Sequence, residues 1–220
     1  CLRDHGALED TLIVFLSDNG CSAEGGPGGF RRGDPDAPIG SPRSYASVGL
    51  EWANASDTPF RRFKMNTHEG GIATPFIAHW PNGIAARGTI AHHVGHVIDL
   101  MPTCAELAGA RYPSQHDGVE LYPLEGRSLV PVFRDPSRPV ESRTLYWEHQ
   151  GNRAIREGNW KLVADHKGPW ELYDLRADRT EVHDVAAEHP DVVRRLARKW
   201  QDWADRVGVR PWPVRRSKGR

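Results

Sequence analysis

The sequence predicts an α/β protein in two parts: a sheet with helices, then a small antiparallel sheet packed against one helix. Three observations carry this. Residues 11–16 (TLIVFL) form a continuous β-rich apolar run, as a strand buried on both faces would, and the run stops abruptly at Ser17-Asp18-Asn19-Gly20. From Thr144 the texture changes to short alternating runs, and six of the eight Trp residues lie beyond that point. Pro190 then opens a stretch in which Val192, Val193, Leu196, Trp200, Trp203 and Val207 share one helical face.

The remaining elements follow in order. Residues 1–10 read as the end of a helix, with Gly6 as its stop. Residues 20–49 hold eight Gly and four Pro, which predicts a long loop without regular elements. Order returns at 59–64 and at 72–80, the second a strand that Pro81-Asn82-Gly83 ends. Residues 92–109 read as a helix with Val97, Ile98, Met101, Ala105, Leu107 and Ala108 on one face and Gly109 as its stop. A short helical turn fits 128–133. Four runs (LYWE, RAIR, WKLV and WELY) then make an antiparallel meander, its middle pair joined by Glu157-Gly158-Asn159. The expected domains are residues 1–135, residues 140–210 and a flexible basic tail at 211–220.

Composition narrows the classes. A chain of 220 residues suits one or two domains. With Gly counted and Tyr set aside, apolar residues make up about 46%, which excludes global disorder. The longest apolar run is five residues, far short of a membrane span. Lys plus Arg (29) equals Asp plus Glu (29), so nothing points to nucleic acid. Three Cys with no C-x-x-C imply neither a disulfide framework nor a zinc ribbon. The chain opens on Cys1 and reaches its first Met at position 65, so it is expected to be the C-terminal piece of something longer.

Three places could carry chemistry. Asp18 and Asn19, delivered at a strand end, offer two hard oxygen ligands for calcium or, less well, magnesium; the same residues also read as an Asn-Gly turn, and two ligands are few for either metal. In residues 64–73 (KMNTHEGGIA), Lys64 could place an ammonium beside an anionic substrate, with Gly70 and Gly71 letting the backbone turn behind it. His92 and His96 would share a helix face, which permits a metal pair, though no third ligand is near. His149, beside Glu148 after a strand, could reach a substrate over the rim of a site.

Taken together and in order, these segments resemble the C-terminal part of a type I sulfatase, of the arylsulfatase family within the alkaline-phosphatase superfamily. TLIVFLSDNG is similar to the family's strand ending in two metal ligands, and FKMNTHEGGIATPFIAHWP to its Lys and E-G-G block. HVIDLMPTCAELAG is similar to the following helix. EWANASDTPFRRFK, LYWEHQGNRAIREGNWKLV and WELYDLRADRTEVHDVA resemble the bacterial arylsulfatase branch.

The resemblance implies an alkaline-phosphatase-like sheet, with Asp18 and Asn19 as calcium ligands. Lys64 would bind sulfate and the leaving-group oxygen; His68, at a place where the family varies, and His149 are the further candidate substrate contacts. The substrate would be a small-molecule or carbohydrate sulfate ester, in a periplasmic or secreted setting. The family's formylglycine arises from Cys or Ser in a Cys/Ser-x-Pro/Ala-x-Arg motif. None of Cys1, Cys21, Cys104 or the Ser residues begins one, so the nucleophile is expected in a preceding segment and these residues alone are expected to be inactive. A phosphoesterase or phosphonate hydrolase of the same superfamily, or a non-catalytic sulfatase relic acting as a binding module, are the other readings.

Overall fold

The computed structural model describes residues 1–139 and 141–214. In chain order its elements are β1 (Ile13–Leu16), β2 (Phe30–Gly33), β3 (Ser44–Ser47), α1 (Leu50–Ser56), α2 (Glu69–Ile72), β4 (Phe76–His79), a 3-10 turn (Val97–Asp99) and α3 (Leu100–Leu107). They continue with β5 (Gln115–His116), β6 (Val119–Glu120), α4 (Val130–Arg134), β7 (Thr144–His149), β8 (Asn152–Glu157), β9 (Trp160–Ala164), β10 (Glu171–Asp174) and α5 (Pro190–Val207). The chain divides into two compact units, one of Cys1–Asp18 with Phe76–Glu141 and one of Asn19–Pro75 with the chain from Ser142. This differs from the expected division at 135–140, because residues 19–75 pack with the later sheet.

In the first unit, β1 pairs antiparallel with β4, from Ile13 opposite His79 to Leu16 opposite Phe76. The expectation of a strand buried on both faces is not met: β4 is the only partner of β1 among the described residues, and Ile13 and Phe15 are exposed. Residues 1–7 form one helical turn closed as expected at Gly6, whose φ is 65°. There the Gly6 N–H donates to the Arg3 carbonyl and the Ala7 N–H to that of Leu2, the two bonds of a Schellman stop. Gly109 ends α3 with the same pair of bonds, to Glu106 and Ala105.

The expected helix at 92–109 starts later, at Val97. His96 is extended, and its Nδ1 accepts from the Ile98 N–H while Asp99 accepts from the His96 N–H. His92 and His96 therefore share no helix face, and the metal pair suggested for them is lost. Asp99, fully buried, also accepts from the Arg127 N–H at 2.8 Å, tying α3 to the segment that enters α4.

In the second unit, β7 to β10 form the expected meander in the order β10-β9-β8-β7. Side chains alternate across it. Ile155, Leu162 and Leu172 meet Leu196, Trp200 and Ala204 of α5 in one core, with Trp203 stacked on Tyr146 at 5.1 Å. α5 begins at Pro190 and ends at Gly208, φ 73°, as its sequence signals require. The basic tail expected at 211–220 falls mainly on residues 215–220, outside the described residues.

The Gly-rich stretch is more regular than expected. β2 and β3 form a hairpin, and Leu50–Ser56 is helical. Its glycines serve a close approach, since a Cβ on Gly29 would collide with the Ser47 carbonyl and one on Gly49 with the Gly29 nitrogen.

Candidate functional site

The second face of the meander sets charged residues beside a small buried cluster of Ala154, Val163, Tyr173 and Leu175, and residues 57–72 cover the charged part. Lys161 of β9 is fully buried, its Nζ 2.8 Å from Glu69 of α2 and 2.7 Å from Glu181, both buried. The Glu69 N–H donates to Glu181 at 2.7 Å. Burial pushes the Glu69 carboxyl up, but the Lys161, Arg156 and Arg179 charges outweigh it and hold it below the usual carboxylate range. At Glu181 burial prevails over Lys161, and the carboxyl is raised. One ammonium thus serves two carboxylates of opposite tendency.

Beside this triad, Arg61 donates to Glu171 at 2.8 Å and to the Tyr173 hydroxyl at 2.7 Å, and the hydroxyl donates to Glu171 at 2.5 Å. None of Lys161, Glu181, Arg61, Glu171 or Tyr173 was singled out by sequence. Charged residues at alternate strand positions read as a solvated face until the covering segment is known.

Lys64 lies on the loop before α2, with a half-exposed side chain whose Nζ donates to Glu24 at 3.1 Å. The other Glu24 oxygen accepts from the Tyr45 hydroxyl at 3.4 Å. The segment that follows Asn19 is sewn to this loop: the Gly20 N–H donates to the Gly71 carbonyl, the Cys21 N–H to both Asp57 oxygens, and the Lys64 N–H to the Cys21 carbonyl at 3.1 Å. A Cβ on Gly20 would collide with the Gly70 carbonyl oxygen, one on Gly70 with Arg62, and one on Gly71 with Asn66. The paired glycines behind Lys64 let the backbone turn there as expected, and they are needed for close backbone approach within a helical turn.

Two residues flanking Lys64 carry left-handed backbone without being glycine, Arg62 (φ 70°) and Met65 (φ 81°). Such conformations cost on the order of 1–3 kcal/mol each and persist only when their surroundings enforce them.

The remaining sequence-chosen residues stand as follows. Asp18, exposed, closes the first unit after β1, and Asn19 opens the second. Asp18 makes no ion pair or hydrogen bond among the described residues, so both carboxylate oxygens are uncommitted. As donors the two suit a hard cation in kind; in number they supply a minority of calcium's six to eight ligands. No group of three or more His, Cys, Asp or Glu that could hold a metal occurs among the described residues.

His68, expected on the substrate side, is fully buried at the start of α2, with Nε2 3.4 Å from Glu171 and Nδ1 3.8 Å from Asp165. Burial, helped by the Lys161 charge, brings it down to about 4 against the pull of Glu171 and Asp165, so it is neutral at pH 7. A group with no exposed surface does not touch a substrate in this conformation. His149 is exposed at the end of β7 and pairs across the turn with Asn152, whose Nδ2 donates to the Met65 carbonyl at 2.8 Å. The His149 turn therefore lies against the Lys64 loop.

Comparison with known proteins adds a family to this geometry. The sulfatase profile matches residues 1–110, and the profile described as N-sulphoglucosamine sulphohydrolase, C-terminal, matches residues 61–205. An uncharacterized sulfatase of Schizosaccharomyces pombe is 32% identical over 94% of this chain and 40% of its own length. Human arylsulfatase A is 32% identical over 89% of this chain and 38% of its own, and rat N-acetylgalactosamine-6-sulfatase 35% identical over 60% and 21%. The chain thus spans less than half the length of these relatives. Among solved structures, Ps i-CgsB superposes with a TM-score of 0.65 at 27% identity, covering 92% of this chain and 38% of that one, and it has also been solved with k-i-k-neocarrahexaose. The phosphonate monoester hydrolase of Agrobacterium radiobacter superposes at 0.57 with 20% identity over 93% and 37%, a likeness of fold.

Proposed function

The chain belongs to the sulfatase family, and from that premise we propose that it supplies the C-terminal portion of an enzyme hydrolysing sulfate esters of small molecules or carbohydrates. The observation that carries this is the sewing of the segment after Asn19 to the loop that presents Lys64, through the Lys64 N–H and the Cys21 carbonyl. Asn19 and Lys64, 45 residues apart in sequence, thereby lie in one unit, with the segment after Asn19 bonded to the Lys64 loop.

In this reading Lys64 is the contact for the ester. Its ammonium leaves a half-exposed pair with Glu24, worth about 0–1 kcal/mol, for an anionic oxygen, so the exchange costs little. There it shares the charge that grows on the leaving oxygen as the S–O bond breaks. Asp18 and Asn19 would hold calcium, which when bound polarises sulfate oxygens. The formylglycine nucleophile would come from outside these 220 residues, which contain no motif for it. The 220 residues alone are therefore proposed to be inactive. His149 would stand at the rim, and His68 would act from beneath the loop.

Turnover of a chromogenic aryl sulfate, an aryl phosphate and an aryl phosphonate by the protein joined to its preceding segment tests this. The sulfate should be the preferred substrate by kcat/KM. Preference for the phosphonate, or no turnover of any ester with an intact nucleophile motif, would overturn it.

A further inference from the structure

Lys64 sits between the two left-handed residues Arg62 and Met65, and both are gripped by the meander. The Arg62 guanidinium donates to Asp165, just after β9, at 2.8 Å. The Met65 carbonyl accepts from Asn152, the first residue of β8. Asn152 is itself oriented, because its Oδ1 accepts from the His166 N–H at 2.8 Å, leaving its NH₂ to face Met65. The preceding residue, Gly151, has φ 86°, and a Cβ there would collide with the His166 ring. The β7–β8 turn and the segment after β9 are thus locked to each other and, together, to the Lys64 loop.

We infer that Asn152 and Asp165 are positioning residues, holding the Lys64 loop in its left-handed form and so fixing where the Lys64 ammonium points. The catalytic arm of this inference rests on the reading of Lys64 as the ester contact; the conformational arm does not. A Met at φ 81° is crowded at its Cβ, and with the Asn152 tie cut only the local turn, closed by the Asn66 N–H on the Phe63 carbonyl, opposes its relaxation. The ammonium at the end of a four-carbon stem then loses its fixed origin. A misplacement of about 1 Å in a catalytic group costs on the order of 100-fold in rate.

The test uses Asn152→Ala, with Asn152→Asp as a second variant that keeps the acceptor for His166 and loses the donor to Met65. Tryptic cleavage after Lys64 should quicken about tenfold in both, as local opening becomes easier, with the global unfolding midpoint little moved. Adding Met65→Gly should bring the cleavage rate part of the way back toward the parent, since glycine adopts φ above zero without the Cβ crowding that drives the loop to relax. In the active enzyme kcat should fall about 10- to 100-fold with KM nearly unchanged, and more for esters with poorer leaving groups. Unchanged cleavage in both variants overturns the inference, as does an unchanged kcat where Lys64→Ala lowers it. If cleavage quickens but neither Asn152→Ala nor Lys64→Ala affects kcat, the clamp stands and the reading of Lys64 falls.

Discussion

The β1–β4 sheet has the more apolar strands, and the four-stranded meander has the better covered ones. In the meander Ile155, Leu162 and Leu172 have no exposed surface, because α5 covers one face and residues 57–72 cover the other. In the β1–β4 pair Phe15 is 64% and Ile77 58% exposed. Apolar content therefore says that a strand is meant to be covered, and the cover itself must be sought elsewhere. For the meander it lies within the same unit. It is also of two kinds, the apolar face of an amphipathic helix on one side and a charged network beside a small apolar cluster on the other.

Breaking the charged cover should have the largest effect. Lys161→Ala would strand the buried Glu69 and Glu181 carboxylates, and a loss of about 3–5 kcal/mol in urea unfolding is expected. A loss under 1 kcal/mol would mean that water, or protonation of the carboxylates, replaces the ammonium. On the apolar side, Leu196→Ala opens a cavity in the α5 core and should cost about 2–5 kcal/mol in the same measurement.

The pH dependence sharpens the contrast. His68 lies near 4 in the folded chain against 6.5 unfolded, so the unfolded chain takes up the proton first. The stability it sustains is whole above pH 6.5 and declines as pH falls toward 4, by at most about 3 kcal/mol. Glu69 and Glu171, both held low, add to the loss below the ordinary carboxylate range. His68→Gln should flatten the slope between pH 6.5 and 4 in unfolding measured across that range. The smallest effect is expected on the open sheet, where Phe15→Ser should shift stability by no more than about 0.5 kcal/mol.

What the sequence disclosed follows the same division. α5 and the meander were legible because their periodicity, Pro190 and the Glu157-Gly158-Asn159 turn all agree. The hairpin and α1 were hidden by glycines whose role is close packing between distant segments, as at Gly29 and Gly49. The helix is shorter than the 92–109 that apolar spacing suggests, because spacing does not show that His96 caps it. At the site, Lys64 and the glycines behind it were visible as a motif. Lys161, Glu181 and Asn152 were not, since each matters through a partner 87 to 112 residues away or across a sheet. His68 stands within that motif, and its burial beneath the loop depends on a sheet that begins more than 70 residues later.

In the proposed function Asp18 would hold calcium and Lys64 would meet the ester. Calcium titration and aryl sulfate turnover, measured side by side on Lys64→Ala and Asp18→Ala in the enzyme joined to its preceding segment, test that division directly. Lys64→Ala should lower kcat about 100-fold while calcium affinity is kept, and Asp18→Ala should lose both. Full turnover in Lys64→Ala, or undiminished calcium affinity in Asp18→Ala, would contradict the account.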